Sequence, residues 1–195
     1  MRKLRLKKEP FFKERDEEER RAFEEEIAAL PEETPVIYID EAGVQQEMKR
    51  THGRSKRGVK LFVETSGKRT KKLNTIAGYS NGSILGQTTY PWTTDLEWFC
   101  MWFEYVLIPV LVSRSVIVMD NASFHSKTAL PIIAEAYGHK IIWLPKYSPD
   151  KNPIEHVWAN MKKWLRDFSE NYASIRVAIS VFFSPSAFNP PSFSM

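Results

Sequence analysis

Three acidic residues stand where short apolar runs end or where a helix begins. Asp40 closes VIYID (Val36–Asp40), and Asp120 follows the apolar start of VIVMDNASFH (Val116–His125). Glu155 opens the helical part of IWLPKYSPDKNPIEHVWANMKKWLR (Ile142–Arg166). Three carboxylates with no cysteine or histidine cluster form a hard oxygen donor set, suited to Mg²⁺ or Mn²⁺ rather than zinc. Two such ions about 3.5–4 Å apart stabilise both the entering and the leaving oxygen of an in-line displacement at phosphorus. Each residue alone also has a plainer role. Asp40 can start a turn, and Asp120 can satisfy loop amides before the next helix. Glu155 can complete a capping box, with Asn152 as N-cap and Pro153 at the first helical position. Asp150, five residues earlier, is the rival for third ligand. Asn121, His125 and His156 read as groups that support such a site from behind or serve the structure, although either histidine could touch a phosphate.

The elements around these residues decide whether they meet. Val36–Asp40 reads as a compact strand, with Glu41-Ala42-Gly43 as a turn after it and Val44–Lys49 as a returning strand. Val59–Glu64, Lys72–Tyr79 and Ser83–Thr89 are further strand candidates, and Asn81-Gly82 is a hairpin dipeptide. The pattern then changes to helix and strand in alternation. Thr94 can cap an apolar helix over Leu96–Val112, which Pro109 should kink or end. Val116–Met119 has the continuous apolar character of a central strand. Ser126–Tyr137 reads as a helix with Gly138 at its C-cap, Lys140–Leu144 as a buried strand and Asn152–Phe168 as a helix. Such an order implies a parallel pair covered by helices, and ligands gather beyond the carboxyl ends of parallel strands. The fold class is α/β, with antiparallel strands first.

The ends read differently. Residues 1–34 are expected to form a basic arm and a polar linking helix over Glu14–Leu30, with too few apolar positions to anchor a core. Residues 35–170 form the main domain, and 171–195 a last helix over Tyr172–Phe183 and a loose tail rich in proline and serine. The formal net charge is only +4, but between Lys49 and Lys72 ten Lys/Arg face a single acid, Glu64. Such a local excess attracts a phosphate backbone, or else is a solvated loop. One cysteine excludes an internal disulfide framework. The longest apolar stretch, Leu96–Val112, carries Glu97, Glu104 and Pro109 and is short of the roughly 20 residues a membrane span needs. A soluble, cytoplasmic and nucleoid-associated protein with no membrane partner is expected.

Taken together, IDEAG (Ile39–Gly43), MDNASFH (Met119–His125) and LPKYSPDKNPIEHVW (Leu144–Trp158) resemble the DDE endonuclease domain of bacterial insertion-sequence transposases in the mariner superfamily. The resemblance runs from about Val36 to Arg166, and the 34 residues between Asp120 and Glu155 match the Asp-Asp-Glu branch. GRSKRG (Gly53–Gly58) resembles the basic turn that follows the first strand in that family. The resemblance implies a ribonuclease H-like mixed sheet, three antiparallel strands then two parallel, with helices on both faces. It implies cleavage at the ends of a mobile element with two Mg²⁺ (or Mn²⁺) ions, then attack of the freed 3′-OH on target DNA. Asp40 would bridge both metals, Asp120 would hold one and Glu155 the other, which demotes Asp150. Arg50, Arg54, Lys56, Arg57 and Lys60 would contact DNA. The partners implied are the terminal repeats, target DNA and a second copy in a homodimer assembled on DNA. Met1–Leu30 resembles only a linker, so an end-reading helix-turn-helix region would be separately encoded or fused by frameshifting. The alternatives are a non-catalytic DNA-binding remnant, against which the intact triad argues, and a stand-alone nuclease that does not rejoin its product.

Overall fold

The first strand is longer than its sequence suggests. In the computed structural model, which describes residues 14–45, 72–112 and 114–184, β1 (Val36–Gln45) is one continuous ten-residue strand. Glu41-Ala42-Gly43 stays extended rather than turning. β2 (Lys72–Ser80) pairs with it antiparallel from Tyr38↔Tyr79 to Gln45↔Lys72. That ladder supplies the backbone partners a turn would have to find locally. β2 reverses at Asn81-Gly82 into β3 (Ser83–Tyr90), and φ values of 46° and 83° there are the left-handed pair of a two-residue hairpin turn.

The second half forms the parallel part. β4 (Val116–Met119) lies beside β1, and β5 (Lys140–Trp143) lies beside β4, giving the sheet order β3-β2-β1-β4-β5. Between β3 and β4, α2 (Leu96–Trp102) continues into a π-helical turn at Phe103–Leu107 and a 3₁₀ turn at Ile108–Val110, where Pro109 ends it. Its N-cap is Asp95, whose carboxylate accepts from Trp98 N at 2.9 Å. Thr94 was the expected cap, but its hydroxyl donates to Glu41 instead, at 2.8 Å. α3 (Ala129–Ala136) follows β4, starting later than Ser126, and Gly138 takes φ 80° just past its end. α4 (Ile154–Phe168) follows β5, and α5 (Ile175–Phe182) completes the described chain.

Because side chains alternate along a strand, the sheet has two apolar faces. Ile39, Ile76, Ile117 and Met119 point to one, under Phe99, Phe103, Leu107, Leu130 and Ala134 of the α2–α3 layer. Ala42, Val44, Leu73 and Ala77 point to the other, under Ile154, Trp158, Met161 and Leu165 of α4 and Ile175, Ala178 and Ile179 of α5. Farther along this second face lies α1 (Glu17–Ala28), expected to be peripheral. Its Phe23 is buried with Val116, Val118, Ile142 and Leu144. One aromatic and the flanking Ile27 and Leu30 suffice because the surface beneath them is largely apolar. Among the described residues no helix is long and apolar enough to cross a membrane. The basic arm, the strand expected at Val59–Glu64, the basic residues Arg50, Arg54, Lys56, Arg57 and Lys60, and the tail beyond Ser184 lie outside the described residues.

Ile117 sits at the centre of this sandwich with no exposure to solvent. Ile117→Ala is expected to lower unfolding free energy by about 2–5 kcal/mol, read as a lower denaturant midpoint with an unchanged slope.

Candidate active site

Strand register brings the two aspartates together. β1 and β4 pair in parallel through Val36↔Val116, Ile37↔Ile117 and Tyr38↔Val118. Asp40 and Asp120 each lie two residues beyond the last of these pairs, at the same level on adjacent strands. β5 is matched to β4 up to Met119↔Trp143, so the chain leaving it at Leu144 passes the same level. It is tied there by Leu144 N to Met119 O at 2.8 Å and by Asn121 Nδ2 to Leu144 O at 2.7 Å. The loop then returns across the strand ends, forms a 3₁₀ turn at Pro149–Lys151 and enters α4. The result is a cleft of about 480 Å³ lined by Asp40, Asp120 and Glu155, with Asn121, Lys146 and Asn152 among the other groups on its walls.

The three carboxylates differ in environment. Asp40 is on the α4 face of β1 and accepts a hydrogen bond from Trp158 Nε1 at 3.0 Å. Burial pushes its carboxyl up to about 7, the Glu41 backbone N–H works against that rise, and the negative charges of Glu155 and Asp120 add to it. The Asp120 side chain is half-exposed; the burial it has disfavours its charge, yet hydrogen bonds from His125 and from Ala122 N outweigh that effect and hold it below the usual carboxylate range. His125 is buried against Phe99, with ring centroids 4.3 Å apart. Its Nδ1 lies 3.0 Å from Asp120 O and 2.9 Å from Asp120 Oδ1. Both neighbours are acceptors, so Nδ1 carries the proton.

Glu155 sits exposed at the start of α4, and its carboxylate closes no capping box. The N-cap position is Pro153, with no side-chain cap hydrogen bond. Asn152, the expected cap, turns its amide to the Ile39 carbonyl at 3.3 Å, fastening the helix start to the strand beside Asp40. His156 is exposed on the first turn of α4. Asp150 does not line the cleft; both its oxygens are taken by Arg20 of α1, at 3.0 and 2.6 Å. This pairing holds the Asp150 carboxyl below its ordinary value.

Three contributors were missed in the sequence. Trp158 lies three residues after Glu155, one helical turn along the same face, and that spacing was its signal. Glu41, expected in a turn, projects to the α2 face because it neighbours Asp40 on a strand. There it accepts from Thr94, whose hydroxyl also meets Tyr90 OH at 2.7 Å. Asn152 contributes a contact that only the folded chain creates.

The donor chemistry fits a divalent cation. The cleft offers three carboxylates, and on two of its lining residues a buried amide oxygen, Asn121 Oδ1 and Asn152 Oδ1, has no hydrogen-bond partner among the described residues. An all-oxygen set of this kind suits Mg²⁺ or Mn²⁺. Among the described residues no three His, Cys, Asp or Glu side chains are grouped tightly enough to hold one ion.

The burial of Asp40 has a measurable consequence. Its folded value near 7 is above the usual 3.8, so its contribution to stability is fully present below about pH 4 and is lost as pH rises through 7. Without divalent ions, Asp40→Asn is therefore expected to be more stable than wild type at pH 8, by about 1–3 kcal/mol. The gap should close towards pH 4, and thermal melts in chelator at the two pH values measure it.

Comparison with known proteins agrees with this architecture. Residues 35–176 match the family of DDE superfamily endonucleases. A comparison with curated protein sequences found none that matches. Among solved structures, the chain is similar to the Mos1 transposase paired-end complex with the left transposon end, at TM-score 0.63 and 16% identity, covering 83% of this chain and 53% of that one. It is similar to the Mos1 mariner paired-end complex with Mn, at TM-score 0.62 and 15% identity, covering 93% of this chain and 64% of that one. The catalytic core domain of BIV integrase follows at TM-score 0.52 and 10% identity, covering 82% of this chain and 86% of that one. The chain thus spans about half the length of the first of these Mos1 chains. At these identities the structural likeness establishes the ribonuclease H-like fold, and the match over residues 35–176 establishes the family: the chain belongs to the DDE superfamily endonucleases.

Proposed function

We propose that this chain is the catalytic domain of a transposase. In this reading it cleaves DNA strands at the ends of a mobile element and joins the freed 3′-OH to target DNA, with Asp40, Asp120 and Glu155 as its metal ligands. The observation that carries the reading is the convergence of these three carboxylates on one cleft, from two adjacent parallel strand ends and a helix start. The Mos1 complexes named for transposon ends and for Mn support it by fold.

Two divalent ions, Mg²⁺ or Mn²⁺, held by these residues would polarise the scissile phosphate and activate water or a 3′-OH as nucleophile. The protein's own part is positional. By the family resemblance Asp40 would serve both ions, and Asp120 and Glu155 would hold one each. His125 fixes the rotamer of Asp120, and Trp158 does the same for Asp40. Lys146 on the cleft wall and the basic segment carrying Arg50, Arg54, Lys56, Arg57 and Lys60 supply positive charge for the DNA backbone. A second copy on the DNA and a helix-turn-helix region that reads the terminal repeats complete the proposed assembly. The Mos1 paired-end chain has nearly as much length again beyond the matched part.

Asp40→Ala, Asp120→Ala and Glu155→Ala are each expected to lower metal-dependent cleavage at least about 100-fold, the rate equivalent of several kcal/mol of lost charge stabilisation. The assay is nicking and 3′-end joining of a plasmid carrying the DNA that flanks this reading frame, with Mg²⁺ or Mn²⁺. Undiminished activity in Asp120→Ala would sink the assignment. Metal-independent, salt-sensitive DNA binding without cleavage would favour the remnant reading.

A further inference from the structure

α1 reaches the wall of the cleft. Arg20 is only 4% exposed, although it lies on a helix whose other described charges face solvent. Its guanidinium forks onto Asp150, Nη1 to Oδ1 at 3.0 Å and Nη2 to Oδ2 at 2.6 Å. The next residue, Lys151, pairs with Glu24 one turn farther along α1. On the apolar side, Phe23 is buried in the cluster that contains Leu144, where the loop begins. The loop is thus held from α1 near both ends, and Tyr147 within it has φ 53°, a left-handed conformation that a side chain bearing Cβ adopts only under constraint.

We infer that Arg20 is a positioning residue for the reaction, acting through Asp150 to hold the Leu144–Asn152 wall and the start of α4 that presents Glu155. The inference rests on the cleft being the reaction site. Asp150 has a half-exposed side chain, 51% accessible, so water can solvate its charge without help. What Arg20 adds is geometry: two parallel charge-assisted bonds fix the loop in one place, which a single lysine ammonium cannot do. The buried partner is Arg20, with 5% side-chain exposure, and among the described residues its other ion-pair contact is Glu17 at 3.6 Å. Removing Asp150 therefore strands a buried charge, whereas removing Arg20 mainly frees the loop.

The test uses the full chain and two readouts, amide hydrogen exchange and plasmid nicking with Mn²⁺. Arg20→Ala is expected to speed exchange in residues 144–152 about tenfold or more while the β4 amides stay protected. Nicking should fall about 10- to 100-fold, the scale of a misplaced reacting geometry. Arg20→Lys should recover little of either. The Arg20→Ala/Asp150→Asn double variant should be no slower than the worse single one, because both changes cut the same link. Unchanged exchange in the loop, additive losses, or a loss of activity that follows global melting would overturn the inference. Wild-type nicking no faster than Asp120→Ala would overturn the functional reading instead, and loop exchange would still decide whether Arg20 holds the wall.

Discussion

Burial of the Asp40 carboxylate, beside two further acids on one cleft, is the constraint around which the rest of the structure is arranged. Asp40 and Asp120 sit side by side because β1 and β4 pair in register, and Glu155 is brought to face them. Burial raises the cost of the Asp40 charge, the charges of Glu155 and Asp120 add to it, and the rise of that carboxyl to about 7 is the visible sign. A cluster of this kind does not assemble for its own stability. It persists because two apolar sheet faces, covered by α2 and α3 on one side and α1, α4 and α5 on the other, fix the strands that carry it.

The supports are distributed unevenly, with a chemical consequence. Asp120 is held by the buried imidazole of His125 and by a local amide, which together keep it ionised. Asp40 has the indole of Trp158 and one backbone N–H, which do not offset its burial. Glu155 is left exposed at the cleft edge. The two orphaned amide oxygens of Asn121 and Asn152 lie on the same walls.

Much of the fold was legible from residue types. The Asn81-Gly82 hairpin, the apolar β4 and the helix ending before Gly138 follow from local rules that their surroundings do not override. Other local rules lost to tertiary pairing. Glu41-Ala42-Gly43 has turn residues but is extended, because β2 offers it a complete ladder. Thr94 and Asn152 are good caps by type, yet Thr94 is drawn to Glu41 and Asn152 to the Ile39 carbonyl. α1 has few apolar positions and still docks, since the face beneath Phe23 is already apolar.

The sequence by itself determined the carboxylates, their 34-residue spacing from Asp120 to Glu155, and the strand and helix starts that carry them, because those are properties of local pattern. It could not choose between Asp150 and Glu155 on residue type, since both are acids beside the same helix start. The tertiary structure separates them by supplying Arg20, 130 residues away in the chain, which takes both oxygens of Asp150 and leaves Glu155 on the cleft. Contacts of that range are set by how helices dock on the sheet, and no local sequence rule encodes them.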